Sequence, residues 1–125
     1  MKRRTSIHIA GFKHVNPIPN AARIGNMLMS GVIVGMDSDG SLPSDITRQC
    51  SNMFAHIRSI VEQAGGTTED ILKITVWMKD PTQRGVLNDE WLKMFPDENN
   101  RPARHTMLAA GGPALIQCDI TAVIE

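Results

Sequence analysis

The sequence predicts one α+β domain in which helices cover one face of a mixed sheet. Three observations carry that prediction. The chain has 125 residues, of which 42% are hydrophobic, enough for one core of ordinary domain size. Apolar residues recur at helical spacing from Ile46 to Ala64, whereas Ile116 to Thr121 alternates apolar and polar as a half-buried strand does. Strand and helix signals then follow in the order βββαβαββ, without the strict alternation of a doubly wound sheet.

Each element has its own local reason. Ile7-His8-Ile9 alternates as a short strand ahead of Gly11, and residues 14–20, with Pro17 and Pro19, predict an extended loop. Met27 to Met36 is nearly all apolar and reads as one or two buried strands, bent or closely approached at Gly31 and Gly35. Asp37-Ser38-Asp39-Gly40 is turn chemistry. Pro43-Ser44-Asp45 opens the first helix by offering side-chain oxygens to free N–H groups. Its apolar face is Ile46, Cys50, Met53, Ile57, Ile60 and Ala64, widened by Phe54 and Val61, and Gly65-Gly66 ends it. Arg48, Gln49, Ser51, Asn52, Arg58, Ser59 and Glu62 form the polar face, with His56 at the boundary.

Ile71 to Met78 is rich in β-branched and aromatic residues and predicts a strand. Asp80-Pro81 caps a second helix through Val86, Leu87, Trp91, Met94 and Phe95, which Pro96 ends. A polar loop over 97–102 leads to a strand from Arg104 to Ala110. Gly111-Gly112-Pro113 turns the chain, and Ala114 to Ile124 is the last strand, with Gln117 and Asp119 on one face.

Charge and composition exclude several function classes. Thirteen basic residues balance thirteen acidic ones. Binding nucleic acid, or an anionic membrane surface, draws on a surplus of Lys and Arg, so neither is expected as a partner. The apolar runs fall far short of the ~20 residues that span a bilayer. The basic start Met1-Lys2-Arg3-Arg4 has no apolar stretch of a signal peptide behind it. Two cysteines, Cys50 and Cys118, make no disulfide framework, so reduced thiols and a cytoplasmic location are expected. His8, His14, His56 and His105 have no metal-ligand spacing, and no metal is expected.

Three local features remain. Arg101-Pro102-Ala103-Arg104-His105 places two arginines and a histidine where a loop becomes a strand. A guanidinium there can grip a carboxylate bidentately, though the same residues also fit a solvated patch. Ser30-Gly31 fits either the close approach of a ligand or a sheet bulge. The face shared by Gln117 and Asp119 is either functional or simply wet.

Taken in order, Gly25-Asn26 leading into Ser30-Gly31, Gln63-Ala64-Gly65-Gly66, the run from Lys73 to Asp80, and Arg101-Pro102-Ala103-Arg104 resemble the Rid family of reactive-intermediate deaminases. These are also called YjgF-type, or endoribonuclease L-PSP-like, proteins. The resemblance spans residues 17–123. It implies a chorismate-mutase-like fold assembled as a homotrimer, with sites in the clefts between subunits. The implied reaction is hydrolysis of small carboxylated enamines or imines, such as 2-iminopropanoate, to keto acid and ammonia, without metal or organic cofactor.

On this resemblance Arg104 anchors the substrate carboxylate, backbone groups near Ser30 and Gly31 line the pocket, and Asn88 braces it. Three departures bear on activity. The last-strand glutamate of the active deaminases aligns with Gln117, an amide that cannot accept a proton at neutral pH. Ile18 stands where a Gly-Pro-Tyr loop has its aromatic residue, and His105 stands where serine is common. Asp119, two residues on with the same side-chain parity, and His105 are the groups able to take over the acid/base work. Arg101 is expected to tolerate replacement. The alternative to catalysis is a family member that holds a small carboxylate without turning it over.

Overall fold

Six strands follow one another across a single sheet in the spatial order β1 (Arg4–Ile7), β2 (Ala21–Ile24), β3 (Met27–Ser30), β7 (Ile116–Val123), β5 (Ile71–Met78) and β6 (Ala103–Leu108). The short β4 (Ile33–Val34) lies beside β7 just beyond β3. This is the computed structural model of the protein, and it describes residues 2–109 and 111–125. All neighbours are antiparallel except β5 and β6. That parallel pair needs a crossover, which α2 (Arg84–Met94) supplies. The longer α1 (Ile46–Gln63) packs against β4, β7 and α2.

Both ends of α1 follow the sequence signals. Asp45 accepts the N–H of Thr47 at 3.2 Å. At the other end Gly65 takes φ +95°, and the Gly66 and Gly65 N–H groups return to the carbonyls of Val61 and Glu62. This is a Schellman ending, which glycine adopts without the Cβ penalty. Asp80-Pro81, expected to cap the second helix, instead opens a short 3-10 turn, Pro81–Gln83, in which Asp80 accepts from Thr82; α2 starts at Arg84 behind Gln83, which makes no side-chain cap bond.

Three details differ from expectation. The first strand is Arg4–Ile7, and Ile9 is held outside the sheet by its N–H bond to the buried Asn20 side chain. Ala21–Ile24 adds a strand to the predicted order, because β3 folds back on it through Gly25-Asn26 with Gly25 at φ +56°. Its two alanines give no β-pattern, so only the tertiary pairing makes it a strand. Gln49, placed on the polar face of α1, is 1% exposed. Its amide donates to Pro43 O at 2.6 Å and accepts from Leu115 N at 2.9 Å, which satisfies it in the core. The predicted sixth-strand end at Ala110, like Met1, lies outside the described residues.

Strand register assigns each side chain to a face. Ile74, Val76 and Met78 of β5 pair with Ile120, Cys118 and Ile116 of β7, and all six are buried beneath the helices. Thr75 and Trp77 pair with Asp119 and Gln117 on the opposite face, which no helix covers. This open face also carries exposed Ile24, Met27, Met29, Met107 and Val123. Gly35 lets α1 close on the sheet, since a Cβ there would lie 1.8 Å from the Gln49 carbonyl oxygen. No helix among the described residues is long and apolar enough to cross a membrane.

Candidate functional site

Arg104 is the second residue of β6, paired with Ile74, so it points to the helix side of the sheet at its edge. There α2 passes over it. The guanidinium carbon lies over the Trp91 ring, 4.9 Å from its centre, a cation–π contact. Asn88 and Trp91, three residues apart on one face of α2, line a cleft of about 460 Å³ together with Leu92, Arg101, Pro102 and Arg104. Asn88, expected to brace the site, therefore lines the same cleft as Arg104 within one chain.

The electrostatics of Arg104 are unusual. Its Nη1 is buried and has no hydrogen-bond partner among the described residues. Burial, with a smaller contribution from the like charge of Arg84, disfavours its charged form. Guanidinium stays protonated regardless, so the site holds a cation with a free donor and no paired carboxylate. Arg101, by contrast, is committed: its Nε donates to Phe95 O at 2.8 Å and its Nη2 to Pro96 O at 3.2 Å. It ties down the C-terminal end of α2.

Asp119 and Gln117 lie elsewhere. Across β7, β5 and β6 the residues Asp119, Thr75 and His105 form one row on the open face, and Gln117, Trp77 and Met107 form the next. Arg104 is on the other side of the same sheet. One chain therefore does not bring Arg104 together with Gln117, Asp119 or His105. Burial raises the Asp119 carboxyl above its ordinary value, opposed by the charge of Lys73.

The remaining predicted residues gather beyond β7. Ser30 and Gly31 interrupt the ladder between β3 and β4, where the register slips by one residue. The Ser30 hydroxyl accepts the Ile120 N–H at 2.8 Å, and the Gly31 N–H donates to Asn20 O at 3.0 Å. Of the two readings left open for this pair, the bulge is realised. Ile18, half exposed, lines a second cavity of about 580 Å³ with His14, Asn16 and Lys13. The His14 ring lies tilted against Phe12, 4.7 Å between centroids, and its Nε2 is buried and unpartnered among the described residues. Ser30 and Arg104 are separated by β7 and β5, about 14 Å at three strand spacings.

Sequence reasoning missed Trp91 and His14 as site neighbours. The spacing of Asn88 and Trp91 was a usable signal for the first, since residues three apart share a helix face. Nothing local marked His14. Cys50 and Cys118 are buried free thiols; burial, then Glu90 and Asp89, pushes the Cys50 pKa up to about 12, so neither cysteine is a nucleophile.

The family model described as endoribonuclease L-PSP matches residues 10–124, nearly the whole chain. The chain belongs to this family, the Rid or YjgF-type proteins. A RutC family protein of Haemophilus influenzae is 32% identical to this Rid chain over 112 residues, covering 87% of it and 86% of the relative. A 2-iminobutanoate/2-iminopropanoate deaminase of Escherichia coli K12 is 30% identical over 111 residues, 87% of each chain. RidA from the Antarctic bacterium Psychrobacter sp. PAMC 21119 superimposes with a TM-score of 0.88 at 24% identity, covering 96% of this chain and 99% of its own. The Rid fold, two helices on a mixed sheet, is thus shared across nearly the full length.

Proposed function

We propose that this Rid-family chain is a deaminase of small carboxylated 2-imino acids, with Arg104 as the carboxylate anchor. One observation carries the reading: a half-buried guanidinium over an aromatic ring, with a buried free N–H, opening on a cleft of small-molecule size. An anionic ligand relieves that unpaired donor, and a bidentate carboxylate fits its geometry. The similarity to a named 2-iminobutanoate/2-iminopropanoate deaminase supports the substrate class.

The sheet separates Arg104 from Asp119, and a three-carbon imino acid cannot reach both through it. The reading therefore places the site between copies of the chain, with Arg104 from one and Asp119 from another, in a homotrimer. The uncovered sheet face, with its exposed methionines, fits such an assembly. Asp119, rather than Gln117 or His105, carries the proton in this scheme, because it is the one acid on that face whose environment moves it toward neutrality.

Arg104 holds the carboxylate while water adds to the protonated imine carbon and passes a proton to Asp119. That proton returns to nitrogen; as the C–N bond breaks, the hydroxyl on the same carbon gives its proton to Asp119, which passes it to the departing ammonia, so the 2-keto acid and ammonium leave. Water is the nucleophile and the iminium carbon is already electrophilic, so the scheme calls for no metal or organic cofactor.

Turnover of freshly generated 2-iminopropanoate tests this. Arg104→Ala is expected to lower kcat/KM at least about tenfold, the value of one charge-assisted contact. Asp119→Asn is expected to lower kcat by about 10²–10⁴ with KM little changed. Calorimetric binding of 2-oxobutanoate without any turnover would instead assign the chain as a carboxylate-binding family member.

A further inference from the structure

Arg84 begins α2, and Arg84, Asn88 and Trp91 follow at spacings of four and three. They therefore share one stripe of the helix, the stripe that lines the cleft through Asn88 and Trp91. Arg84 stands about 6 Å along the axis from Asn88, just beyond the N-terminal end of the cleft. Among the described residues it forms no salt bridge and no hydrogen bond through its side chain, and it is exposed.

Its place is not explained by helix stability. The first turn of α2 holds no acidic residue, and a cation there opposes the helix dipole. Arg101, the other cation at the cleft, is spent on the Phe95 and Pro96 carbonyls. After burial, Arg84 is also the charge that Arg104 senses most. The cleft thus has an inner cation on β6 whose buried Nη1 lacks an anion, and at its rim an exposed cation on α2 with no salt bridge among the described residues.

We infer that Arg84 is a specificity residue for a second anionic group, so that the preferred ligands are 2-imino acids with an acidic side chain. Arg104 takes the carboxylate next to the imine, and Arg84 takes the distal carboxylate across the Asn88–Trp91 wall. This rests on the carboxylate-anchor reading of Arg104 and narrows it from 2-imino acids in general to the dicarboxylic class. The unpaired arginine at the wrong helix end is then a local rule broken for function.

Calorimetry with two stable keto acids of equal carbon count separates the possibilities. The unmodified protein is expected to bind 2-oxoglutarate at least about tenfold more tightly than 2-oxopentanoate, as one further charge-assisted contact implies. Arg84→Ala should remove that preference and leave 2-oxopentanoate binding unchanged, while Arg84→Lys should keep part of it as a charge without the fork. Arg104→Ala should weaken both ligands. A preference that is absent, or that survives Arg84→Ala, overturns the role of Arg84 and leaves the anchor intact. If Arg104→Ala leaves both affinities unchanged, the anchor reading itself fails.

Discussion

At the residue scale, the polar groups buried in this chain divide by whether they have partners. His56 has one: its Nε2 lies 2.9 Å from Met36 O, and its ring stacks on Phe12 at 5.5 Å. Burial lowers its pKa, with the Met36 contact opposing, and burial lowers that of His14 as well. Both titrate near 6.5 in the unfolded chain. The unfolded chain therefore binds more protons over the window just below that value. Stability is fully present above about pH 6.5 and falls as pH drops through the depressed folded values. Urea midpoints should decrease between about pH 7.5 and 5.5, and His56→Gln should flatten part of the slope. A midpoint independent of pH in that window would contradict the buried neutral assignment. Among the described residues, Arg104 and His14 are the two with buried, unpartnered side-chain atoms. Such atoms cost free energy unless something else satisfies them, which is why they mark candidate sites rather than core.

At the element scale, the fold depends on side chains that bridge elements. Gln49 is the clearest, since its amide links Pro43, ahead of α1, to Leu115, ahead of β7. Gln49→Ala leaves a buried donor and a buried acceptor unmet and should cost about 2–5 kcal/mol, read from urea unfolding. A loss below about 0.5 kcal/mol, within the usual range for surface positions, would mean water replaces both contacts. Arg23 has a comparable role, donating to Ala64 O at the end of α1 and to Ile124 O after β7. Asn20 does the same for the 8–20 loop, accepting from Ile9 N and donating to Phe12 O. Each of these three reads in sequence as an ordinary exposed polar residue. Helical periodicity puts Gln49 on the wrong face, and each of the three is fixed by groups far along the chain or across a loop.

At the scale of the whole molecule, the sheet is covered on one face only. The other presents Ile24, Met27, Met29, Met107 and Val123 around the row Asp119, Thr75 and His105. Exposed apolar patches of this kind mark interaction sites. The proposed homotrimer makes a direct prediction. Met29→Glu adds a charge at a position 59% exposed, so the isolated fold should survive while association fails. Sedimentation is expected to move from three times 13.7 kDa to one, with circular dichroism unchanged and imine turnover lost. A variant that sediments unchanged and stays active would place the assembly surface elsewhere.

What the sequence by itself determined is local in physical origin. The periodicity of α1, its Asp45 cap and its Gly65 ending, the alternation of β7, and the Asp80-Pro81 start ahead of α2 all rest on interactions within a few residues, and all are found in the structure. The linked residues Gly25-Asn26, Lys73 to Asp80 and Arg101 to Arg104 pointed to the family, and with it to Arg104 as the proposed anchor. The tertiary structure alone decided what depends on distant partners. It made Ala21–Ile24 a strand, took Gln49 into the core, and set Arg101 to hold the end of α2. It also put Arg104 and Asp119 on opposite faces of one sheet, because residues share a face by strand register and not by their nearness in sequence.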